Sequence, residues 1–356
     1  MKYSLALAAL SLATASPFSH PQETTTDSPG RTIICVPPES QGSNKPLAPK
    51  PPPPSSSINK TLSALKPPCP RGTVPRLQPA YASSRFNSLL QRAQLVSQGV
   101  AQHAGATTFA GVSNHGGGGT FLAIKPHMPA NSAGTSVLQM ALSHAAGTAN
   151  NRQQTVEAGI TMMPQQFPVP VLFTYFTTVA HASDADAVGG YNSDQQGWIQ
   201  VDDAIYPGIE ADAIAKDDEI SINYVLDQGN WWLWAQDRYL GYYPGSLFAG
   251  SLNTGAEQIS LFGEVFDRGG VATGIPMGTG VAPTPSQNEQ EPTCNKAAYI
   301  RNAFYIDTQH QRLDFDGAPV VNDQPQLYGV QTHFKSPTPW KSYICLGGGG
   351  GGGGNN

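Results

Sequence analysis

From about residue 103 onward the chain is interrupted at short range. Runs rich in Val, Ile, Phe, Tyr, Trp and Thr are each closed by Gly, Pro, Asn or Asp before a long helix can form. "GTFLAIKP", "QTVEAGITMM", "VPVLFTYFTT", "GWIQVDD", "EISINYVLD", "NWWLWAQD", "EQISLFGEVF" and "AAYIRNAFYID" are the runs that read as strands. "DQGN" at 227–230 joins two of them as a hairpin turn, and "YPGSLFAG" at 243–250 reads as one short helical turn. Many short strands with frequent turns predict an all-β chain, an antiparallel β-sandwich or barrel. The 38 Gly, 31 Pro and only 13% charged residues fit that class and disfavour a helical bundle.

The front of the chain is built differently. "MKYSLALAALSLATAS" has one Lys, an apolar run and the small-x-small Ala13-Thr14-Ala15, the form of a secretory signal over residues 1–15. No later run approaches the roughly 20 apolar residues of a membrane span, so a secreted, extracellular protein is expected. Residues 16–80 are Pro- and Ser-rich, which predicts extended or polyproline-like chain rather than packed structure. Asn59-Lys60-Thr61 in that stretch is a glycosylation sequon. Residues 83–102 carry an apolar stripe at helical spacing, with Ser83 or Ser84 to cap its start. The expected organisation is a signal at 1–15, a pro-segment at 16–102, a strand-rich domain at 103–346 and a disordered glycine tail at 347–356.

Charge divides the same way. Residues 1–128 hold 11 Lys+Arg and 3 Asp+Glu, net +8, whereas 129–356 hold 9 and 22, net −13. A basic front and an acidic back attract each other near neutral pH, and acid weakens that attraction by neutralising carboxylates. The acidic back also opposes a nucleic-acid partner. Four cysteines in an oxidising compartment point to disulfides, and pairing within each region, Cys35–Cys69 and Cys294–Cys345, is favoured over the cross pairings.

Familiar hydrolytic motifs are missing. There is no G-x-S-x-G and no H-E-x-x-H, the eight histidines are scattered, and neither a metal nor a cofactor is implied. "HGGGG" at 115–119 therefore reads as a flexible loop. Carboxylates remain. Alternation in "SLFGEVF" puts Phe262, Glu264 and Phe266 on one face, where two rings strip water from the carboxylate. In "TVEAG" it groups Thr155, Glu157 and Gly159, whose small neighbours leave room for a ligand. If the two faces meet, one glutamate can act as base toward water and the other as acid toward a leaving group.

Several blocks, in order, resemble the neprosin family of secreted glutamic peptidases. They are "CPRGTVPR" (69–76), "HAGATTFAGVSN" (103–114) followed by "TFLAIKP", "TVEAGI" (155–160), "LFTYFTT" (172–178), "GNWWLWAQDRYLGYYPGSLF" (229–248), "LFGEV" (261–265), "MGTG" (277–280) and "AAYIRNAFYID" (297–307). The resemblance implies Glu157 and Glu264 as the catalytic pair on the concave face of a β-sandwich. It also implies a zymogen that loses its N-terminal part in acid, with the pro-segment as intramolecular inhibitor, and an endopeptidase with a preference for cutting after proline. The chain departs from the family in Ile160, where Trp follows Glu-Ala-Gly, and in the cysteine-free "GGYNSDQQGW". Trp232, Trp234, Tyr242 and Tyr243 are the candidates for the cleft floor, because an aromatic wall suits a flat proline ring. The competing reading is a non-catalytic sandwich that binds cell-wall polysaccharide through exposed aromatics.

Overall fold

The computed structural model describes residues 23–27, 30–42, 46–53, 65–78, 102–129, 132–146, 152–178, 189–194, 196–248, 250–267, 274–284, 294–316 and 320–350. The signal at 1–15, Asn59 and the expected helix up to residue 101 lie outside them. The elements are β1 (Glu23–Thr26), β2 (Thr32–Val36), β3 (Val74–Leu77), β4 (Gln102–Asn114), β5 (Gly116–Leu122), β6 (Gly134–Ala146), β7 (Arg152–Met163), β8 (Phe167–Thr177), β9 (Gly189–Tyr191) and β10 (Ile199–Gln200). A single helical turn, α1 (Ala211–Ile214), is followed by β11 (Glu219–Asp227), β12 (Asn230–Ala235), β13 (Arg238–Tyr243), β14 (Ala256–Asp267) and β15 (Ala298–Ile306). β16 (Arg312–Asp314), β17 (Val320–Asn322), β18 (Tyr328–His333) and β19 (Tyr343–Gly348) complete the chain.

Two large antiparallel sheets form the domain, as the strand pattern predicts. One runs β17-β4-β14-β6-β7-β8-β9, the other β10-β13-β12-β11-β5-β15-β19-β18 with β16 on β15. Their inner faces enclose one core. Leu138, Met140, Leu142, Val156, Ala158 and Ile160 come from the first sheet, and Ile220, Ile222, Tyr224, Trp231, Leu233 and Tyr243 from the second. The β11–β12 hairpin turns at Gln228 (φ 47°) and Gly229 (φ 77°), the positive-φ pair that a two-residue turn requires. The expected helical turn after Tyr243 is a 3-10 turn at Gly245–Phe248.

The glycine run after His115 is not a loop. It is β5, hydrogen-bonded between β11 and β15 near the middle of the larger sheet. A Cβ on Gly118 would lie 2.2 Å from the Ile222 carbonyl oxygen and 2.4 Å from Asn223 Cβ, and one on Gly117 would lie 2.4 Å from Ile259 Cδ1. Neighbouring backbone and side-chain atoms fill the volume beside residues 116–119, so glycine is what this part of the seam admits. A bidentate pair from Arg301 on β15 to Glu219 on β11, with Nε–Oε1 at 2.6 Å, ties the two flanking strands together.

The front is more ordered than its composition suggests. β1, β2 and β3 form a small antiparallel sheet, and Ile33, Cys35, Cys69 and Leu77 join the main core. Proline content alone misjudged this segment because a few buried apolar residues and a disulfide anchor it. Both disulfides, Cys35–Cys69 and Cys294–Cys345, pair as favoured. The segment docks through Gln41 Nε2 to the Gln200 carbonyl (2.8 Å), Arg76 Nη2 to the Ser193 carbonyl (2.8 Å) and Tyr206 Oη to Asp27 Oδ2 (3.5 Å). The tail also begins later than expected. Gly347 and Gly348 end β19, paired with Gly329 and Tyr328. A Cβ on Gly347 (φ 153°) would sit 2.2 Å from the Val281 carbonyl, so the glycines permit that close approach. Among the described residues no helix is long and apolar enough to cross a membrane.

Gly118→Val should destabilise the chain by about 3 kcal/mol or more in urea unfolding, because the clash is with backbone that cannot move aside. An unchanged midpoint would show that β5 does not sit in this seam.

Candidate active site

The site is set by hydrogen-bond register across three strands. β6 is the middle strand, with β14 on one side and β7 on the other. Glu264 pairs with Val137, Phe262 with Gln139, and Ser260 with Ala141. On the far side Gly159 pairs with Gln139 and Glu157 with Ala141. Directly paired residues share a face, and alternate residues along each strand return to it. Glu157, Gln139 and Glu264 are therefore on one face of the sheet, while Val156, Ala158, Leu138, Met140 and Val265 point into the core. The glutamates stand two strand spacings apart, about 10 Å laterally, and four residues apart along β6, about 13 Å, with Gln139 midway between them.

Each glutamate has local support. Gln139 Nε2 donates to Glu264 Oε2 at 3.1 Å, a bond that orients the carboxyl group. Gly263, on the core side, makes room for the neighbouring sheet. A Cβ there would lie 2.5 Å from Leu346 Cδ1 and 2.8 Å from Met277 Sδ. On the outer side a Cβ on Gly159 would lie 2.2 Å from the Leu138 carbonyl oxygen and 2.8 Å from Gln139 Cβ. That explains the glycine two places after Glu157: β6 approaches too closely there for any side chain.

The peptide carbonyl of Glu157 is held from the core. It accepts from Tyr224 Oη (3.3 Å) on β11 and from Thr174 Oγ1 (3.3 Å) on β8. Thr174 Oγ1 also makes hydrogen bonds with the Tyr224 hydroxyl and with Tyr243 Oη (3.0 Å); its one proton serves a single partner at a time, so it accepts from the others. Burial pushes the Tyr224 phenol up; the Thr174 hydrogen bond opposes this and the Glu157 charge adds to it. Burial likewise pushes Tyr243 well above its ordinary value. Both phenols stay protonated and remain donors over the working range of pH.

The glutamates are buried, at 5% exposure for Glu157 and 3% for Glu264. So are their neighbours on the same face: Val137, Phe173, Tyr175 and Tyr191 form one apolar cluster. Tyr175 pairs with Glu157 across β7–β8, and its ring centre is 5.2 Å from that of Tyr191. The aromatic wall beside the carboxylates is this one.

The tandem-tryptophan block goes elsewhere. Trp232, Trp234 and Tyr242 lie on the outer face of the other sheet, in a separate cluster with Tyr239 and Ile199. The whole core separates them from the glutamates. Tyr243 faces that core and joins the hydroxyl cluster behind Glu157. Trp231, one place before Trp232, faces the core as strand alternation requires, but alternation cannot say which sheet face meets substrate. The three outer aromatics are 0–6% exposed, so these rings offer no exposed platform for polysaccharide in the chain as it stands.

Gln139 was missed in the sequence because β6 itself was missed. Its Leu, Met and Ala content reads as helical, and the usable signal was Leu138, Met140 and Leu142 alternating with polar Gln139 and Ser143. Among the described residues no group of three or more His, Cys, Asp or Glu is placed to hold a metal ion.

Tyr224→Phe should cost about 1–2 kcal/mol in urea unfolding, because a buried carbonyl and a buried threonine each lose a partner. A variant as stable as the parent would show that the hydroxyl cluster does not hold the Glu157 peptide.

The family model for Neprosin matches residues 132–349, from just before β6 to just past β19, and so includes Glu157, Gln139 and Glu264. Among solved structures, Scytalido-glutamic peptidase with a peptide-based transition-state analogue is 8% identical with a TM-score of 0.34, covering 70% of this chain and 98% of that one. A structure reported with endo-acting O-glycanases of human gut microbiota that initiate mucin breakdown is 12% identical at a TM-score of 0.22, covering 54% and 53%. Neither likeness bears on the chemistry at scores this low. The family match spans more than half of the chain, and on that match the chain belongs to the neprosin family.

Proposed function

We propose that the chain is a secreted, acid-active endopeptidase of the glutamic type in which Glu157 and Glu264 act on one peptide bond. The observation that carries this reading is the register of β14, β6 and β7, which puts both carboxylates on one face with Gln139 between them. One carboxylate takes a proton from water as the water oxygen attacks the scissile carbonyl. The other, protonated, hydrogen-bonds the developing oxyanion and then gives its one proton to the leaving amine as the C–N bond breaks, while the first keeps the proton it took from water. Gln139 spends one N–H on Glu264, and its second is a donor within the same site. Phe173, Tyr175 and Tyr191 supply ring faces against which a proline side chain packs, which supports a preference for cutting after proline. Two disulfides fit an oxidising, extracellular compartment.

The burial of both glutamates supports synthesis as a zymogen, since substrate reaches them only after something is removed. Arg76 of the pro-segment, which donates to the Ser193 carbonyl, acts electrostatically on Asp194, and Arg31, ion-paired with Asp27 of its own segment, acts on Glu210, so the charge asymmetry is felt at these carboxyls. Acid does not weaken both attractions in a simple way. Burial pushes the Asp194 carboxyl up to about 6, partly opposed by Arg76. Burial also raises Glu210, with Arg31 opposing it. A carboxyl whose folded value is raised stabilises the packed state below its ordinary value and loses that contribution as pH rises through the folded value. At Asp194 acid therefore favours the docked form. The acid dependence of maturation is assigned instead to the protonated member of the glutamate pair.

Glu157→Gln and Glu264→Gln should each lower kcat on a proline-containing peptide at acid pH by about 10³ or more, with unfolding midpoints unchanged. Full activity in either variant would sink the glutamic mechanism. The full-length chain should shorten itself at about pH 3, where carboxylates begin to hold protons, and the Glu264→Gln chain should not; equal rates in purified samples would rule out autoprocessing. Comparing Glu264→Gln with Glu264→Gln/Asp194→Asn, the gain in thermal midpoint on going from pH 6.5 to pH 4 should be smaller in the double variant. An equal gain would show that the Asp194 carboxyl is not raised in the folded chain.

A further inference from the structure

The outer face of the larger sheet carries a groove that the catalytic reading does not use. Trp232 is packed against Tyr242 with ring centres 4.4 Å apart, and Tyr239 stands edge-on to both Trp232 (5.7 Å) and Trp234 (4.7 Å). Across these rings runs the chain's own "PLAPKPPP", residues 46–53, in neither helix nor strand. Leu47 and Ala48 pack on the rings and Pro51 is buried. The Ala48 amide donates to Tyr242 Oη at 3.1 Å, and Tyr239 Oη donates to the Pro52 carbonyl at 3.0 Å.

These are the elements by which aromatic grooves hold polyproline helices. Such a chain has no internal hydrogen bonds, so its carbonyls are free for phenol and indole donors. It is already stiff, so little entropy is lost on binding. The occupant does not use up the groove. Trp232 Nε1 is buried without a hydrogen-bond partner among the described residues. A cavity of about 420 Å³ lies between the segment and the sheet edge, lined by Pro46, Leu47, Ala48, Ile199, Tyr242 and Pro244.

We propose that this groove is a second, non-catalytic binding site for proline-rich peptide, held in cis by residues 46–53 and open to a proline-rich segment of another chain once that segment leaves. The site lies on the opposite side of the sandwich from Glu157 and Glu264. A short substrate cannot reach both, but a long proline-rich one can be anchored here while another part is cut. This consequence rests on the peptidase reading above; the binding itself does not. While the cis segment is attached, its effective concentration is on the order of millimolar and keeps the groove filled.

The test uses the full-length chain carrying Glu264→Gln, so that binding is read without cleavage. Residues 46–53 are replaced by a Gly/Ser run of equal length with Cys35 and Cys69 kept. The probe is the synthetic peptide Pro-Leu-Ala-Pro-Lys-Pro-Pro-Pro, followed by calorimetry and by tryptophan emission. The replaced chain should bind it at least tenfold more tightly than the chain with its own segment. A peptide with every Pro changed to Ala should bind at least tenfold more weakly, and Trp232→Phe should remove most of the gain. If the replaced chain does not fold, the single Pro51→Gly exchange loosens the cis segment and should raise affinity in the same direction. Absence of binding by a folded replaced chain, or equal binding of the alanine peptide, overturns the proposal. Binding that survives while Glu157→Gln keeps full peptidase activity would sink the glutamic mechanism and leave this site standing.

Discussion

The arrangement depends on the ladder of backbone hydrogen bonds on the two sides of β6. Because side chains alternate along a strand, a slip of one residue in either ladder would send a glutamate into the apolar core and bring a core residue out. Desolvating an unpaired carboxylate there costs several kcal/mol, and burying it against Leu138 or Met140 offers no compensation. The apolar residues of β6, β7 and β14 thus lock the register, and the register brings Glu157, Gln139 and Glu264 to one face. The glycines complete the lock. Gly159 lets Gln139 stand between the carboxylates, and Gly263 lets Leu346 and Met277 come up beneath Glu264.

The second sheet does more than cover the first. Its Tyr224 and Tyr243 reach through the core to the Thr174 hydroxyl, and Tyr224 and Thr174 hold the carbonyl of Glu157. Polar groups placed this deep are costly unless satisfied, so a cluster of three hydroxyls and one carbonyl fixes a single packing of one sheet on the other. The glycine strand β5 has a matching role within the larger sheet, leaving the volume that Ile259, Ile300 and Asn223 occupy.

The N-terminal segment packs on the domain at several places. Its three strands and disulfide anchor it, Arg76 donates to the Ser193 carbonyl, and its proline run lies across the aromatic groove. One segment therefore holds the rear groove in a full-length chain whose glutamates are buried. Composition describes this segment poorly, since its Pro and Ser predict no packing while Ile33, Cys35, Cys69 and Leu77 are core.

The sequence by itself determined the fold class and the β11–β12 turn, favoured the disulfide pairing found, and pointed to the two carboxylates that merit chemical interest. Each rests on local information: alternation over a few residues, a turn pair needing positive φ, an even cysteine count, a charge among apolar neighbours. It did not reveal β6, whose Leu- and Met-rich run lacks β-branched residues, or that "HGGGG" is a strand, since a glycine run is stable only between neighbours that fill its space. Nor did it place the tryptophan block, because period two states which residues share a face but not which face looks toward substrate. Only the tertiary structure decided that Glu157 and Glu264 share a face with Gln139 between them, and that Trp232, Trp234 and Tyr242 lie on the far side of the core. The physical reason is that face and register are properties of strand pairs far apart in sequence, fixed by long-range hydrogen bonds and by what the core will accept.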